Sequence, residues 1–153
     1  MNSLELKIPP VAVLLLCGAG MWLLASPALG LSFPIPARRL LALIVAGIGV
    51  ATGVAGVLEF RSAATTVDPR YPEKTSTVVK TGIYKRSRNP MYLGLLLILL
   101  AWGIFLANAL AFVVLPVFVL YMNHFQISAE ERAMQLQFGD AYRDYLRAVR
   151  RWI

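Results

Sequence analysis

The stretch GIYKRSRNPMYLG, residues 82–94, sets the frame for the chain. It gathers glycine, aromatic, cationic and amide groups into a turn and runs without a spacer into a long apolar segment. Asn89-Pro90 is a turn signal, and proline fits the first turn of a helix, where its missing N–H would have no partner anyway. The stretch therefore predicts a helix starting near Pro90. Tyr92 falls in its first turn, and Gly94 lies where another group can approach the backbone closely. Arg88 and Asn89 then stand at a helix N-terminus, where free N–H groups and the dipole favour an anion. The plain alternative is a positively charged loop beside a membrane.

Downstream, residues 91–122 form an apolar run of 32 residues. One crossing needs about 20, so the run is too long for a single span. Ala107-Asn108 divides it, which predicts a tight hairpin of two helices over residues 91–107 and 109–127. Pro116 is expected to kink the second. That helix then leaves the membrane through Asn123-His124-Phe125-Gln126 and carries Glu130-Glu131 on its extension. The cytosolic tail, residues 128–153, ends in residues 138–153, which place Tyr142, Tyr145, Leu146, Val149 and Trp152 at roughly helical spacing with Arg143, Arg147, Arg150 and Arg151 between them. That pattern predicts an amphipathic helix lying in the membrane interface, its aromatics acting as anchors.

Upstream, residues 11–29 are uncharged and long enough to span. Ala25-Ser26-Pro27-Ala28 loosely resembles a signal-peptide cleavage site, but the segment before it is weakly basic and long for a leader. Residues 40–58 form a second apolar segment in which Gly49, Gly53 and Gly56 offer a smooth face for close helix packing. Between the spans lies a polar insertion, residues 59–90, with turns at Thr65-Thr66, Asp68-Pro69, Tyr71-Pro72 and Lys74. A connection of that length in so small a protein is usually functional or disordered. The aromatics, Val78-Val79 and the motif-like end of this one favour function.

Composition agrees with this division. The chain has 153 residues, enough for one domain, and 58% of them are hydrophobic, well above the share in soluble globular chains. The expected fold is all-α: a polytopic membrane protein with four transmembrane helices, a cytosolic loop and a C-terminal interfacial helix. The net charge of +7 then fits loops meeting anionic lipid better than it fits nucleic acid. Cys17 is the single cysteine, which excludes an internal disulfide and a thiolate metal cluster; no metal site is expected. Oligomeric state is not legible.

Two adjacent acids at a membrane exit are unusual, because carboxylates near lipid are costly. Glu130 and Glu131 could serve as ion-pair partners of the Arg-rich loop, or as a cup for a ligand carrying an ammonium group. Neighbouring helical residues point about 100° apart, so one of the two would contact a given ligand atom. His124, the single histidine, reads as a hydrogen-bonded packing residue or as a base near the exit.

Arg88-Asn89-Pro90-x-Tyr92-x-Gly94, the apolar hairpin, Glu130-Glu131 and Phe138-Gly139-x-x-Tyr142 together resemble the superfamily of isoprenylcysteine carboxyl methyltransferases and phospholipid methyltransferases. Thr65-Thr66-Val67 and Gly82-x-Tyr84 resemble its bacterial members, and the likeness runs from Phe60 to Ile153. It implies an integral membrane enzyme of a bacterial inner membrane that uses S-adenosylmethionine and releases S-adenosylhomocysteine. By position, Ser76, Thr77, Val78, Val79, Gly82, Tyr84, Asn89, Pro90, Met91 and Tyr92 would hold the adenosine part. Glu130 would pair with the methionyl ammonium, with Glu131 helping. Arg88 and Asn89 would be catalytic, and Arg88 and Gln126 would meet a lipophilic acceptor entering from the bilayer. Asn89 stands where many relatives have histidine, and it cannot act as a base at neutral pH. Gln126 stands where the prenylcysteine enzymes place an arginine for the substrate carboxylate. The implied activity is carboxyl O-methylation of a lipophilic acceptor. The alternatives are N-methylation of a phospholipid and a non-catalytic lipid-binding scaffold.

Thirteen of the fifteen Lys and Arg residues lie in the N-terminus, the central loop and the tail, and the other two are Arg38 and Arg39. The charge bias predicts that both termini and the site are cytoplasmic. Reporter fusions at the C-terminus and within residues 33–37 should give opposite signals. A C-terminus on the far side of the membrane would defeat the four-span topology.

Overall fold

A computed structural model describes residues 5–26, 30–63 and 76–153. The turns expected at Thr65-Thr66, Asp68-Pro69, Tyr71-Pro72 and Lys74, and the end of the first apolar segment at residues 27–29, lie outside these residues. Among the described residues the regular structure is helical: α1 (Pro10–Leu24), α2 (Arg38–Ser62), a short 3-10 helix (Gly82–Lys85), α3 (Pro90–Leu106), α4 (Ala109–Tyr121), a π-helical segment (Met122–Ile127), α5 (Ser128–Phe138) and α6 (Asp140–Ala148).

Among the described residues, two helices are long and apolar enough to cross a membrane. They are α2 and the continuous helix Ala109–Phe138, which α4, the π segment and α5 make together. With 15 and 17 residues, α1 and α3 are apolar but shorter, about 22 and 25 Å long. Large apolar side chains face outward on all four, including Leu15 and Trp22 of α1, Leu43 and Ile48 of α2, Phe105 of α3 and Leu120 of α4. An exposed apolar belt of this size suits contact with lipid rather than water.

The central helix is α3, which touches α1, α2 and α4. As the sequence indicates, it begins at Pro90. Gly94 does admit a close neighbour, and that neighbour is α2. A Cβ added at Gly94 would stand 2.6 Å from Gly49 O and 2.9 Å from Gly53 N. Gly49 and Gly56 are the glycines of α2 whose missing side chains make room, for α3 backbone and for Met91 respectively; a Cβ on Gly53 would meet nothing. On the other side of α3, Trp102 Nε1 donates to Gly18 O of α1 at 3.1 Å. The core between α1, α3 and α4 is apolar and includes Val13, Met21, Leu99, Ala111, Phe118 and Met122.

The hairpin turn falls where Ala107-Asn108 predicts it. Ala107 takes a left-handed conformation at the end of α3, and the Asn108 side chain accepts from Leu110 N–H to start α4. The α1–α2 connection clasps this turn: Phe33 N–H donates to Ala107 O, Ala109 N–H to Leu31 O, and Asn108 Nδ2 to Ser32 Oγ.

Three boundaries differ from the sequence-based ones. Helix α2 runs to Ser62, past residue 58, because the loop end docks on its last turn: Phe60 packs on Tyr84 with ring centres 5.3 Å apart, and Thr81 Oγ1 donates to Glu59 at 2.5 Å. The helix continues through Pro116, and a π segment follows it at Met122–Ile127. The tail helix is shorter than residues 138–153: it runs as α6 over Asp140–Ala148, Val149 is extended, and Tyr142 and Tyr145 are buried in the protein instead of facing lipid.

The α2–α3 contact gives a paired test. Gly94→Ala forces a methyl into α2 backbone, which cannot yield, and should cost about 1–3 kcal/mol. Gly53→Ala should stay within about 0.5 kcal/mol of the parent. Thermal unfolding in detergent compares the two, and equal effects would contradict the packing.

Candidate functional site

Four segments converge at the Pro90 end of α3: residues 80–89, the first turn of α3, the π segment running into α5, and the C-terminal tail. The hairpin makes the decisive link. It returns the chain so that Tyr92 on α3 faces Glu130 on α5, and the Tyr92 hydroxyl donates a short hydrogen bond to Glu130 Oε1. Glu131, about 100° further round the helix, points to a different set of partners. Arg88 Nη2 lies 3.0 Å from its Oε1, while Arg151 Nε and Nη2 reach its two oxygens at 3.1 and 2.5 Å.

The tail is laced over this cluster. Arg88 N–H donates to Arg150 O at 3.0 Å and Arg88 Nη1 to Leu146 O at 3.2 Å. Asn89 Nδ2 donates to Arg151 O at 2.9 Å, and Asn89 N–H to Ser87 Oγ at 3.1 Å. Trp152 Nε1 donates to Asn123 Oδ1 of the π segment at 3.0 Å. From α6, Tyr145 donates to Tyr84 O at 2.8 Å, and Lys80 reaches back to Ala141 O at 2.7 Å. The N-terminal segment braces the far side of α5: Glu5 pairs with Arg132 at 2.8 Å, and Leu6 N–H donates to Phe125 O.

Glu130 and Glu131 therefore differ in kind. Glu131 faces two guanidinium groups. Among the described residues Glu130 has no cationic partner; its hydrogen bond comes from a neutral phenol. Glu130 keeps some residue surface, but its carboxylate is turned inward beneath Tyr92. Burial pushes its pKa up to about 8; the Tyr92 hydrogen bond opposes the rise and the Glu131 charge adds to it. Among the described residues, three buried polar side-chain atoms of the cluster lack a hydrogen bond: Tyr84 Oη, Arg88 Nε and Gln126 Nε2. Gln126 Nε2 sits beside the Tyr92 hydroxyl but off the geometry of a formed bond. The Tyr84 hydroxyl is pushed well above the usual phenol range, first by burial and then by the nearby Tyr145, Glu130 and Glu59.

The structure thus brings Tyr84, Arg88, Asn89, Tyr92, Gln126, Glu130 and Glu131 together. Pro90 is fully buried at the base of the cluster, and Met91 packs on Gly56. Gly82 lies against the Glu59 carboxylate with φ +51, where a side chain would collide. Val79 is buried and Val78 half-buried, whereas Ser76 and Thr77 are exposed where the described loop begins. His124 is half-turned outward, edge-on to Phe125. Ser87, Asn123, Arg151 and Trp152 belong to the cluster, and sequence reading did not single them out. Arg151 and Trp152 read as parts of an amphipathic stripe, and only tertiary pairing separates them from it.

An apolar cavity of about 670 Å³ adjoins the cluster. Pro10 and Val11 of α1, Gly53 and Val54 of α2, and Tyr92 and Leu95 of α3 are among its walls, so it connects the lipid-facing gap between α1 and α2 to Tyr92.

Residues 37–141 match the phospholipid methyltransferase family. The chain belongs to that family. Its methyltransferases act on lipid-like acceptors, which accords with a polar cup opening onto an apolar cavity. A protein of Haemophilus influenzae, described as an uncharacterized protein, is 52% identical over 63 residues, which is 41% of this chain and the whole of that protein. No solved structure matches.

Tyr92→Phe removes the hydrogen bond that the Tyr92 hydroxyl donates to Glu130. Leaving a buried charged acceptor unsatisfied should cost about 1–3 kcal/mol. The loss should be larger at pH 9 than at pH 6, where Glu130 is protonated. Denaturant unfolding at both pH values checks this, and a pH-independent loss would contradict it.

Proposed function

We propose that this family member is an S-adenosylmethionine-dependent methyltransferase embedded by four helices in a bacterial inner membrane, with both termini and the cup on the cytoplasmic side. One observation carries the reading: among the described residues the buried Glu130 carboxyl group has no cationic partner. A buried carboxylate is unfavourable unless it takes up a proton or a positively charged group completes it, and a cofactor's ammonium would be that group.

The residues fit that cofactor. Glu130 would hold the methionyl ammonium, and Tyr92 would fix the carboxylate's orientation. Tyr84 and Gln126 would supply the polar contacts they now lack, and Val78, Val79, Gly82, Asn89, Pro90 and Met91 would wall the adenosine side. When bound, the cofactor supplies an electrophilic methyl group. The protein's share is to align the acceptor and exclude water. The cavity between α1 and α2 would bring a lipophilic acceptor to Tyr92 from the bilayer. The contacts of Arg88 favour a bracing role, with Nε alone left to meet an acceptor.

The acceptor's reacting group is proposed to be a carboxylate, as in isoprenylcysteine carboxyl O-methylation. A second reading, N-methylation of a phospholipid amine, is favoured by one feature: Arg88 and Arg151 are both engaged by Glu131, and Gln126 is neutral, so neither of these guanidinium groups is free to grip a carboxylate. Supplying methyl-labelled S-adenosylmethionine to membranes containing the protein and identifying the labelled lipid decides between them. No labelled product would reject both.

Cofactor binding has a pH signature. Glu130 holds its proton up to about pH 8 in the ligand-free protein, and an ammonium group binds the deprotonated form. S-adenosylhomocysteine affinity should rise with pH, by roughly tenfold per unit below that midpoint, and level off above it. Glu130→Gln should weaken binding roughly ten- to a hundredfold and flatten the profile. Because the folded state raises this pKa, ligand-free stability falls as pH climbs from the ordinary carboxylate range to about 8, and Glu130→Gln should remove that decline. Calorimetry and thermal unfolding across pH 6–9 measure both. Unchanged affinity in a folded Glu130→Gln protein would refute the assignment.

A further inference from the structure

The two acids of the cup are neighbours in sequence, yet they are treated differently by residues far from them. Glu131 takes both arms of the Arg151 fork and one arm of Arg88. The tail that carries Arg151 is pinned on three sides: Asn89 holds Arg151 O, Arg88 N–H holds Arg150 O, and Trp152 holds Asn123. A planar guanidinium meeting a carboxylate through two bonds sets direction as well as charge.

We propose that the C-terminal tail is a working part of the cup: Arg151 draws the Glu131 carboxylate aside and neutralises it, so that Glu130 alone presents a negative charge to a bound cation. Arg151 is thus a positioning residue that acts through Glu131. The last clause rests on the cofactor reading above; the positioning itself does not.

The electrostatic logic follows from what faces Glu130. Tyr92 approaches from α3, Tyr84 from the 3-10 helix, Gln126 from the π segment, Tyr142 from α6 and Glu131 from its own helix. Arg132, next along α5, is occupied by Glu5. Of this set Glu131 is the one other carboxylate, so its charge is the neighbour most able to oppose ionisation of Glu130. Removing Arg151 leaves Glu131 with Arg88 alone, a guanidinium already shared with Leu146 O. The two carboxylates then compete for one buried space. A residue that merely ties down the tail would alter stability without altering the ionisation of Glu130.

The test reads the protonation of Glu130 directly in the ligand-free protein, as the infrared carboxyl band that Glu130→Gln abolishes, titrated across pH. Arg151→Gln should move its midpoint upward by at least about half a pH unit, and Arg151→Lys should recover most of the shift. Glu131→Gln should lower the midpoint, and adding Arg151→Gln to that variant should then change nothing. Should Arg151→Gln alone fail to fold, the double variant carries no uncompensated carboxylate at position 131 and decides the matter. A midpoint unmoved in folded Arg151→Gln, or moved as far when Glu131 is absent, would overturn the proposal. S-adenosylhomocysteine titrations on the same variants separate the two readings. A midpoint that shifts while affinity does not follow would support the positioning role and reject the cofactor assignment.

Discussion

A pair of adjacent carboxylates at the mouth of a helical bundle is tolerated only if something answers their charge, and the arrangement of this end of the protein follows from how each is answered. Two guanidinium groups meet Glu131, one from the turn before α3 and one from the tail. A tyrosine hydroxyl meets Glu130. The first set holds the loop, α5 and the tail as one unit. The second leaves a buried carboxyl group that no cation among the described residues answers. An ion pair buried with both partners is weak evidence for stability; here its clearer consequence is geometric, because it separates two side chains that would otherwise share a space.

That separation depends on helix packing some distance away. Tyr92 can reach Glu130, 38 residues later, because the hairpin at Ala107-Asn108 returns the chain antiparallel and the α1–α2 connection clasps the turn. The angle and depth of α3 are set by the close approach of its Gly94 to the α2 backbone at Gly49 and Gly53. In a lipid environment, where apolar contact alone gives helices little preference for one another, close backbone packing of this kind supplies much of the specificity. The π segment matters in the same way. Its altered turn brings the amide of Gln126 and the carbonyl oxygen of Asn123's side chain to the cluster, and π turns of this sort recur at functional sites.

The apolar cavity and the polar cluster share Tyr92. Tyr92 is among the walls of the space between α1, α2 and α3, and its hydroxyl touches Glu130. A water-soluble group and an oily one could therefore meet across a single residue without either leaving its preferred solvent. This is the physical basis for relating membership of a lipid methyltransferase family to this end of the bundle.

How much of this was legible in the sequence follows from range. The start of α3 at Pro90, the hairpin at Ala107-Asn108 and the smooth face of α2 are local signals of proline, asparagine and glycine, and they hold. The divergence of Glu130 and Glu131 also follows from helical geometry alone. The full reach of α2 did not, because its last turn is sustained by Thr81 and Tyr84, more than twenty residues away. Nor did the fate of the tail: an amphipathic stripe says that one face is buried, not whether lipid or protein covers it, and here the loop covers Tyr142 and Tyr145. Arg88 and Arg151 were visible as charges. Their common partner was not, since which carboxylate a flexible cation meets is decided by where the folded backbone places its anchor, and that is a property of the tertiary structure.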